Sequence, residues 1–194
     1  MIVYAEQIRG YGPAAPVPVL QWEPEFGALL ALYRERSPRR VLEVGTYHGG
    51  TLYHWLTNAR DGTTVVSLDR YSEGIDNRGM YRGWCPDGVS VVALEGDSHD
   101  ETVAAQVAAY GPFDWVWIDA GHYYPEVKRD WELYGSMCAP GGIVCFHDIL
   151  PASVEHPEIE VERLWRELQA SGYRTEEIIA DPAVSWGGIG IVHV

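Results

Sequence analysis

Two apolar stretches of the sequence end in side chains that can bind a cation or move a proton. One runs apolar from Trp115 until Asp119, with His122 three residues further on; the other, GGIVCFHD, runs apolar until His147 and Asp148. Strand-end carboxylates can hold a divalent cation, a bound cation lowers the pKa of a hydroxyl, and a neutral imidazole nearby can accept the released proton. A metal-free version, with one histidine as base and the acids orienting it, is chemically open as well. A lone Asp at a strand end is commonly a cap, and a lone His commonly a packing residue. Four polar residues that interrupt two apolar strands at equivalent depths point to function instead, because burying them without partners would cost about 2 kcal/mol or more each. Asp130 and His99 are weaker candidates, read as part of a solvated helix face and as a helix start.

A second group of residues suits a ligand loop. Glu43-Val-Gly45-Thr-Tyr-His-Gly49-Gly50-Thr51 combines a strand end with glycines that permit a tight turn and close backbone approach ahead of a helix. Its spacing is E-x-G-x-x-x-G, which differs from the G-x-G-x-x-G of a dinucleotide site. Asp69 follows Gly45 by 24 residues at the end of the next apolar run, where a carboxylate can accept both hydroxyls of a ribose. Glu95-Gly96-Asp97-Ser98 ends the third run and offers polar contacts to an adenine edge, although an Asx turn would also explain it.

These positions require a particular scaffold. Short runs rich in Val, Ile and Leu (RRVLEVG, TTVVSLD, VSVVALEGD, FDWVWIDA and GGIVCFHD) alternate with segments of helical period at 49–60, 72–83, 100–110, 124–138 and 157–171. Near-continuous apolar strands separated by helices indicate a parallel sheet covered on both faces. YRTEEIIA and GGIGIVHV are joined by only ADPAVSW, too short for a crossover helix, so they are predicted to pair antiparallel. The fold class is therefore α/β, a doubly wound, seven-stranded and mostly parallel sheet with an antiparallel final strand. A helix from about Pro24 to Ser37, with Phe26, Leu29, Leu30 and Tyr33 on one face, follows a proline-rich extended arm. The expected division is an arm and helix over 1–38 and the main domain over 39–194, within one globular unit. Trp115 and Trp117 are predicted core; the segment YSEGIDNRGMYRGWCPDG is a candidate lid or acceptor wall, and LPASVEHPEIE a candidate pocket loop.

Composition narrows the partners. With 28 Asp and Glu against 14 Lys and Arg, the net charge of −14 repels a phosphate backbone, so nucleic acid is not expected as a partner. Three cysteines without C-x-x-C spacing suggest neither a disulfide framework nor a thiolate metal site, and read as reduced core residues. No run approaches the ~20 apolar residues of a membrane span, so a cytoplasmic protein with no membrane partner is expected. A homo-oligomer stays open.

The glycine loop, Asp69, the GDS turn and seven strands closing in a hairpin resemble the class I methyltransferases that use S-adenosyl-L-methionine, over about residues 39–194. Within that superfamily, WIDAGHYYPEVKRDWELY followed by APGGIVCFHD is similar to small-molecule O-methyltransferases acting on sugar or phenolic hydroxyls, the group that includes macrolide-sugar and rhamnosyl O-methyltransferases and cephalosporin-hydroxylase-like proteins. The resemblance implies cofactor roles for Glu43, Gly45, Gly49 and Asp69, with Asp97 and Ser98 on the adenine side. It also implies a divalent cation, magnesium or a manganese-like ion, held by Asp119, His147 and Asp148, with His122 as general base. Relatives usually carry Asp or Glu where this chain has His147, which shifts the expected metal toward ions that accept imidazole. The implied activity is methyl transfer from S-adenosylmethionine to a hydroxyl of a small-molecule acceptor. The competing readings are a Rossmann-type oxidoreductase binding a nicotinamide dinucleotide, against which the glycine spacing counts, and a catalytically silent cofactor-binding protein. N-methylation is disfavoured because DAGH stands where an N/D-P-P-Y/F run would follow strand four.

Overall fold

A computed structural model describes residues 16–70, 78–154, 156–181, 183 and 187–194. Helix α1 (Glu23–Arg36) leads into β1 (Arg40–Val44), α2 (Gly50–Thr57), β2 (Thr64–Asp69), α3 (Arg78–Gly83), β3 (Ser90–Glu95), α4 (Glu101–Ala108) and β4 (Phe113–Ile118). Then come α5 (Tyr124–Tyr134), a short 3-10 turn, β5 (Cys138–His147), α6 (Val161–Ala170), β6 (Arg174–Ile178) and β7 (Ile189–His193). The sheet order is β3-β2-β1-β4-β5-β7-β6. The first five strands run parallel, and β7 inserts antiparallel between β5 and β6. This is the doubly wound sheet with a closing antiparallel strand that the sequence predicts.

Strand periodicity decides what each face of the sheet holds. In β4, Val116 and Ile118 point to one side and join Leu42, Val66 and Val144 against α4, α5 and α6. Trp115 and Trp117 point to the other, where Val41, Val65, Ile143 and Cys145 meet α1, α2 and α3. Both tryptophans are fully buried. Tyr33, Trp55 and Trp115 stack with centroids 5.0–5.6 Å apart, contacts worth about 0.5–1.5 kcal/mol per pair beyond their buried area. Helix α1 enters this layer through Phe26, Leu29, Leu30 and Tyr33, as its period requires. Pro24 sits in its first turn, and Ser37, with φ of 47°, ends it.

Several boundaries differ from the sequence expectation. The helix expected over 72–83 is seen as α3; residues 71–77 lie outside the described residues. The segment 124–138 ends its α-helix at Tyr134, since Gly135 begins the tighter turn and β5 starts already at Cys138, with a register shift where Phe113 pairs with Cys138 but Trp115 with Ile143. Helix α6 begins at Val161 and not near Pro157, because the preceding turn is fastened elsewhere: the Glu160 N–H donates to the His122 carbonyl at 2.8 Å. Cys138 and Cys145 are buried free thiols, as expected, while Cys85 is only half-buried. Among the described residues no helix is long and apolar enough to cross a membrane.

The order of the sheet reverses between β1 and β4, and this is where a doubly wound sheet opens a crevice beyond its carboxyl ends. Register brings the critical residues level there. Val44 pairs with Ile118 and Ile118 with Phe146, so the loops that follow all three strands emerge side by side.

Candidate active site

The crevice holds a cavity of about 550 Å³. One end is built by the loop after β1. Gly45 has φ of +91°, and a Cβ there would stand 2.1 Å from the Asp119 carbonyl oxygen, so only glycine lets this loop lie against the end of β4. The loop is tied back to β2: Asp69 Oδ2 accepts from the backbone N–H groups of Thr46 (2.8 Å) and Tyr47 (2.6 Å). Gly45, Asp69, Asp97 and Ser98 all line the cavity. Asp97 Oδ1 accepts from the His99 N–H at 2.9 Å, forming the Asx turn that the sequence also allows. Gly49 opens α2 with φ of +90° and faces Tyr81, outside the cavity lining.

Glu43 also lies outside the lining, fully buried behind the loop. Its Oε1 accepts from the Thr51 hydroxyl and from Trp55 Nε1, while Oε2 is sealed without a partner. Burial pushes this carboxyl up to about 8, against the opposing pull of its hydrogen-bond donors. A neutral Glu43 at pH 7 braces α2 against β1.

At the other end of the cavity Asp119, His122, His147 and Asp148 converge. His122 Nε2 lies 3.5 Å from Asp119 Oδ1 and 3.4 Å from Asp148 Oδ2. His147 Nδ1 faces the same two oxygens at 3.5 and 3.2 Å. Burial alone would depress the His147 imidazolium, but Asp148 and Asp119 outweigh it and raise its pKa well above the ordinary value. Burial opposes the ionised Asp119 and Asp148 too, yet the imidazoles hold both below the usual carboxylate range. His122 is raised: burial disfavours its charged form and Asp119 more than compensates.

Two differences separate the histidines. His147 is 7% exposed, with Nε2 sealed and unpartnered against the Trp117 ring, whereas His122 is 39% exposed at the mouth. Among the described residues, the group with metal-binding spacing is Asp119, His122 and Asp148, whose ligand atoms all lie within 4.8 Å of one another. His122, expected as the base, falls within this group, and His147, expected as a ligand, faces the same two carboxylate oxygens from the closed side.

Further residues border the cavity or stand outside it. His156, Glu158 and Ile159 line it, so the loop after β5 does form a wall, as predicted. None of residues 79–88 does, so the described part of the candidate lid between β2 and β3 stands outside the lining; Tyr81 packs on Trp84, and Trp84 on Tyr53. Asp130 is not on a solvated face: it is fully buried, its carboxyl raised to about 6 by that burial, with His99 Nε2 3.5 Å away. The sequence holds a signal for this, since Val127, Asp130 and Tyr134 recur at helical spacing and share the buried face of α5. Gln21, whose Nε2 donates to Asp119 Oδ2 at 2.8 Å, carries no such signal, being 98 residues away.

Residues 42–149, from β1 through the imidazole–acid pair at the end of β5, match the methyltransferase domain family. The chain belongs to that family. This methyltransferase also shares its fold with solved O-methyltransferases. That of Bacillus cereus, in complex with SAH, is 20% identical with a TM-score of 0.66, over 100% of this chain and 87% of that one. TomG of Streptomyces achromogenes, involved in tomaymycin synthesis and solved with SAM, is 17% identical with a TM-score of 0.64, over 98% and 88%. MycE of the mycinamycin biosynthetic pathway, solved with Mg, SAH and mycinamycin VI, is 19% identical with a TM-score of 0.58; the methyltransferase aligns over 88% of its own length and 48% of MycE. At these identities the likeness is one of fold. No curated protein matches the chain.

Proposed function

We propose that this methyltransferase moves the methyl group of S-adenosylmethionine to a hydroxyl of a small molecule, with a divalent cation held beside the acceptor. The observation that carries the reading is one cavity with a glycine loop and Asp69 at one end and two carboxylates with two imidazoles at the other. The cofactor's ribose belongs at Asp69 and its adenine beside Asp97 and Ser98, which leaves the sulfonium end directed toward Asp119. Methyl transfer needs an attacking oxygen in line with that carbon, and Asp119 borders both halves of the cavity. The neighbouring structures, solved with SAM or SAH, and the magnesium of MycE support the assignment.

The residues fit a cation. Two ligands each about 2.1 Å from a metal are about 3.0–3.4 Å apart at octahedral to tetrahedral angles, and the His122 to Asp119 and His122 to Asp148 separations of 3.5 and 3.4 Å need little adjustment. Asp119, His122 and Asp148 would hold it, an imidazole-containing set that suits manganese better than magnesium. The bound ion would favour the ionised form of the acceptor hydroxyl. His147 keeps the two carboxylates together from the buried side. The alternative role for His122, as base in place of ligand, is supported by its exposure: as the outermost of the four groups it is the one placed to take the acceptor's proton when it does not ligate. The cavity size fits a small molecule, and the net charge of −14 argues for an acceptor that is not a nucleic acid.

The test has two parts. Calorimetry should show binding of S-adenosylmethionine and of its demethylated product but not of NAD. Incubation with methyl-labelled cofactor, manganese and a panel of phenols and sugars should label at least one hydroxyl compound. Preference for NAD would overturn the assignment.

A further inference from the structure

The segment ahead of α1 lies across the site and touches both halves of it. Val19 is buried in the core layer that contains Leu52 and Trp55. The Pro18 carbonyl oxygen occupies the space beside Gly50 so closely that a Cβ on that glycine would stand 2.1 Å from it. Pro18, Leu20 and Gln21 line the cavity. Gln21 itself is 6% exposed. Its Nε2 donates to Asp119 Oδ2 at 2.8 Å, while Asp119 Oδ1 faces His122 and His147.

We infer that Gln21 is a positioning residue that fixes the Asp119 carboxylate so that Oδ1 alone is presented to the cation. This rests on the cation-assisted reading above. A carboxylate can rotate and offer either oxygen or both; a donor locked onto Oδ2 removes that freedom before a ligand arrives, and partners of this kind commonly govern metal affinity. The amide orientation is one-sided. Oε1 is sealed without a hydrogen-bond partner, and turning the amide over would set it against Asp119 Oδ2, oxygen to oxygen. The amide therefore forgoes one hydrogen bond to keep the contact with Asp119. With Val19 buried and Pro18 seated on Gly50, the backbone that carries Gln21 is anchored on the helix of the glycine loop, so the acid is oriented by a segment that is itself held at the other end of the cavity.

The experiment is manganese binding to the cofactor-free full chain, followed by calorimetry and by the electron paramagnetic resonance of free Mn²⁺, for the wild type, Gln21→Met, Gln21→Asn and Glu23→Gln. Met fills nearly the same volume without a donor, so it should weaken manganese binding about 10-fold or more. Asn, whose amide is one methylene short of Asp119, should also weaken it. Glu23→Gln, on the exposed first turn of α1 and outside the cavity lining, should leave affinity within twofold, and all variants should keep a thermal midpoint near wild type. Wild-type manganese affinity in Gln21→Met would overturn the inference and leave the proposed function intact. A wild-type chain that binds no divalent cation would overturn both the inference and the cation-assisted part of that function, while its affinity for S-adenosylmethionine would still stand or fall separately.

Discussion

Asp69 fastens the glycine loop, the proposed function gives it the cofactor ribose as well, and one substitution pair tells the two tasks apart. Its Oδ2 accepts two backbone N–H groups of the glycine loop, from Thr46 at 2.8 Å and Tyr47 at 2.6 Å. Hydrogen bonds to a charged acceptor contribute about 1.5–3 kcal/mol each when well shielded. Asp69 is only half-buried, so the pair is expected to supply about 2 kcal/mol. Asp69→Ala removes both and should destabilise the cofactor-free protein by that amount in urea denaturation. Asp69→Asn keeps an amide oxygen for the loop and should cost about 1 kcal/mol or less. Cofactor binding responds differently. Ribose hydroxyls need acceptors, and the amide replaces a negative oxygen with a donor, so Asn should lose about 1–3 kcal/mol of affinity for S-adenosylhomocysteine, about 5- to 150-fold, measured by calorimetry. Alanine should lose at least as much, with the loop freed as well. The reasoning is refuted if Asp69→Asn binds as tightly as wild type, or if Asn destabilises the free protein as much as Ala.

Other consequences are equally direct. Glu43, raised from 4.5 to about 8 by burial, makes the folded state hold a proton that the unfolded chain has released, so its contribution is fully present below pH 4.5 and is lost as pH rises toward and through 8. Glu43→Gln, which stays neutral, should gain stability relative to wild type across this window, by an upper bound on the order of 5 kcal/mol; parallel stability curves at pH 5, 7 and 9 would contradict the neutral carboxyl. Asp119→Ala and Asp148→Ala should each abolish most turnover and its dependence on added cation, and full activity after exhaustive chelation would exclude a catalytic metal. Asp148→Asn should keep the fold, because an amide oxygen can still accept from the Gly187 N–H, while losing cation affinity by titration calorimetry. His122→Ala should lower turnover by roughly 10²–10⁴ with cofactor affinity unchanged; if manganese affinity falls in parallel its role is that of a ligand, and if that affinity is retained its role is that of the base.

The fold was readable because its strands are near-continuous apolar runs and its helices carry faces such as Phe26, Leu29, Leu30 and Tyr33. A doubly wound sheet has one place for a ligand, so strand-end residues could be collected from the sequence before any contact was known. Elements held by distant partners escaped. Helix α6 starts late because Glu160 is bonded to the loop after β4, and β5 starts early because it pairs with Phe113. Gln21 meets Asp119 through a contact 98 residues long, and no local pattern announces it. Asp130 departs from expectation for a different reason: its charge suggests a solvated face, whereas its spacing from Val127 and Tyr134 places it inward.

The two histidines show why residue type and strand position together still fall short of a role. Strand alternation sends Phe146 to the helix face shared by α5 and α6 and His147 to the opposite face, toward Trp117. Continued alternation would turn Asp148 away from His147. The chain instead takes a left-handed conformation at Asp148, φ of 62°, which Asp tolerates better than most residues. The Gly187 N–H then holds Oδ1 at 3.1 Å, and Oδ2 comes within 3.2 Å of His147 and 3.4 Å of His122. A single backbone departure therefore brings the Asp148 carboxylate onto the same two imidazoles that face Asp119, and closes a cluster that regular strand geometry would have split. Strain of this kind persists where surrounding contacts over-determine it, and at Asp148 they come from two separate segments: the loop after β4, through His122, and the residues before β7, through Gly187.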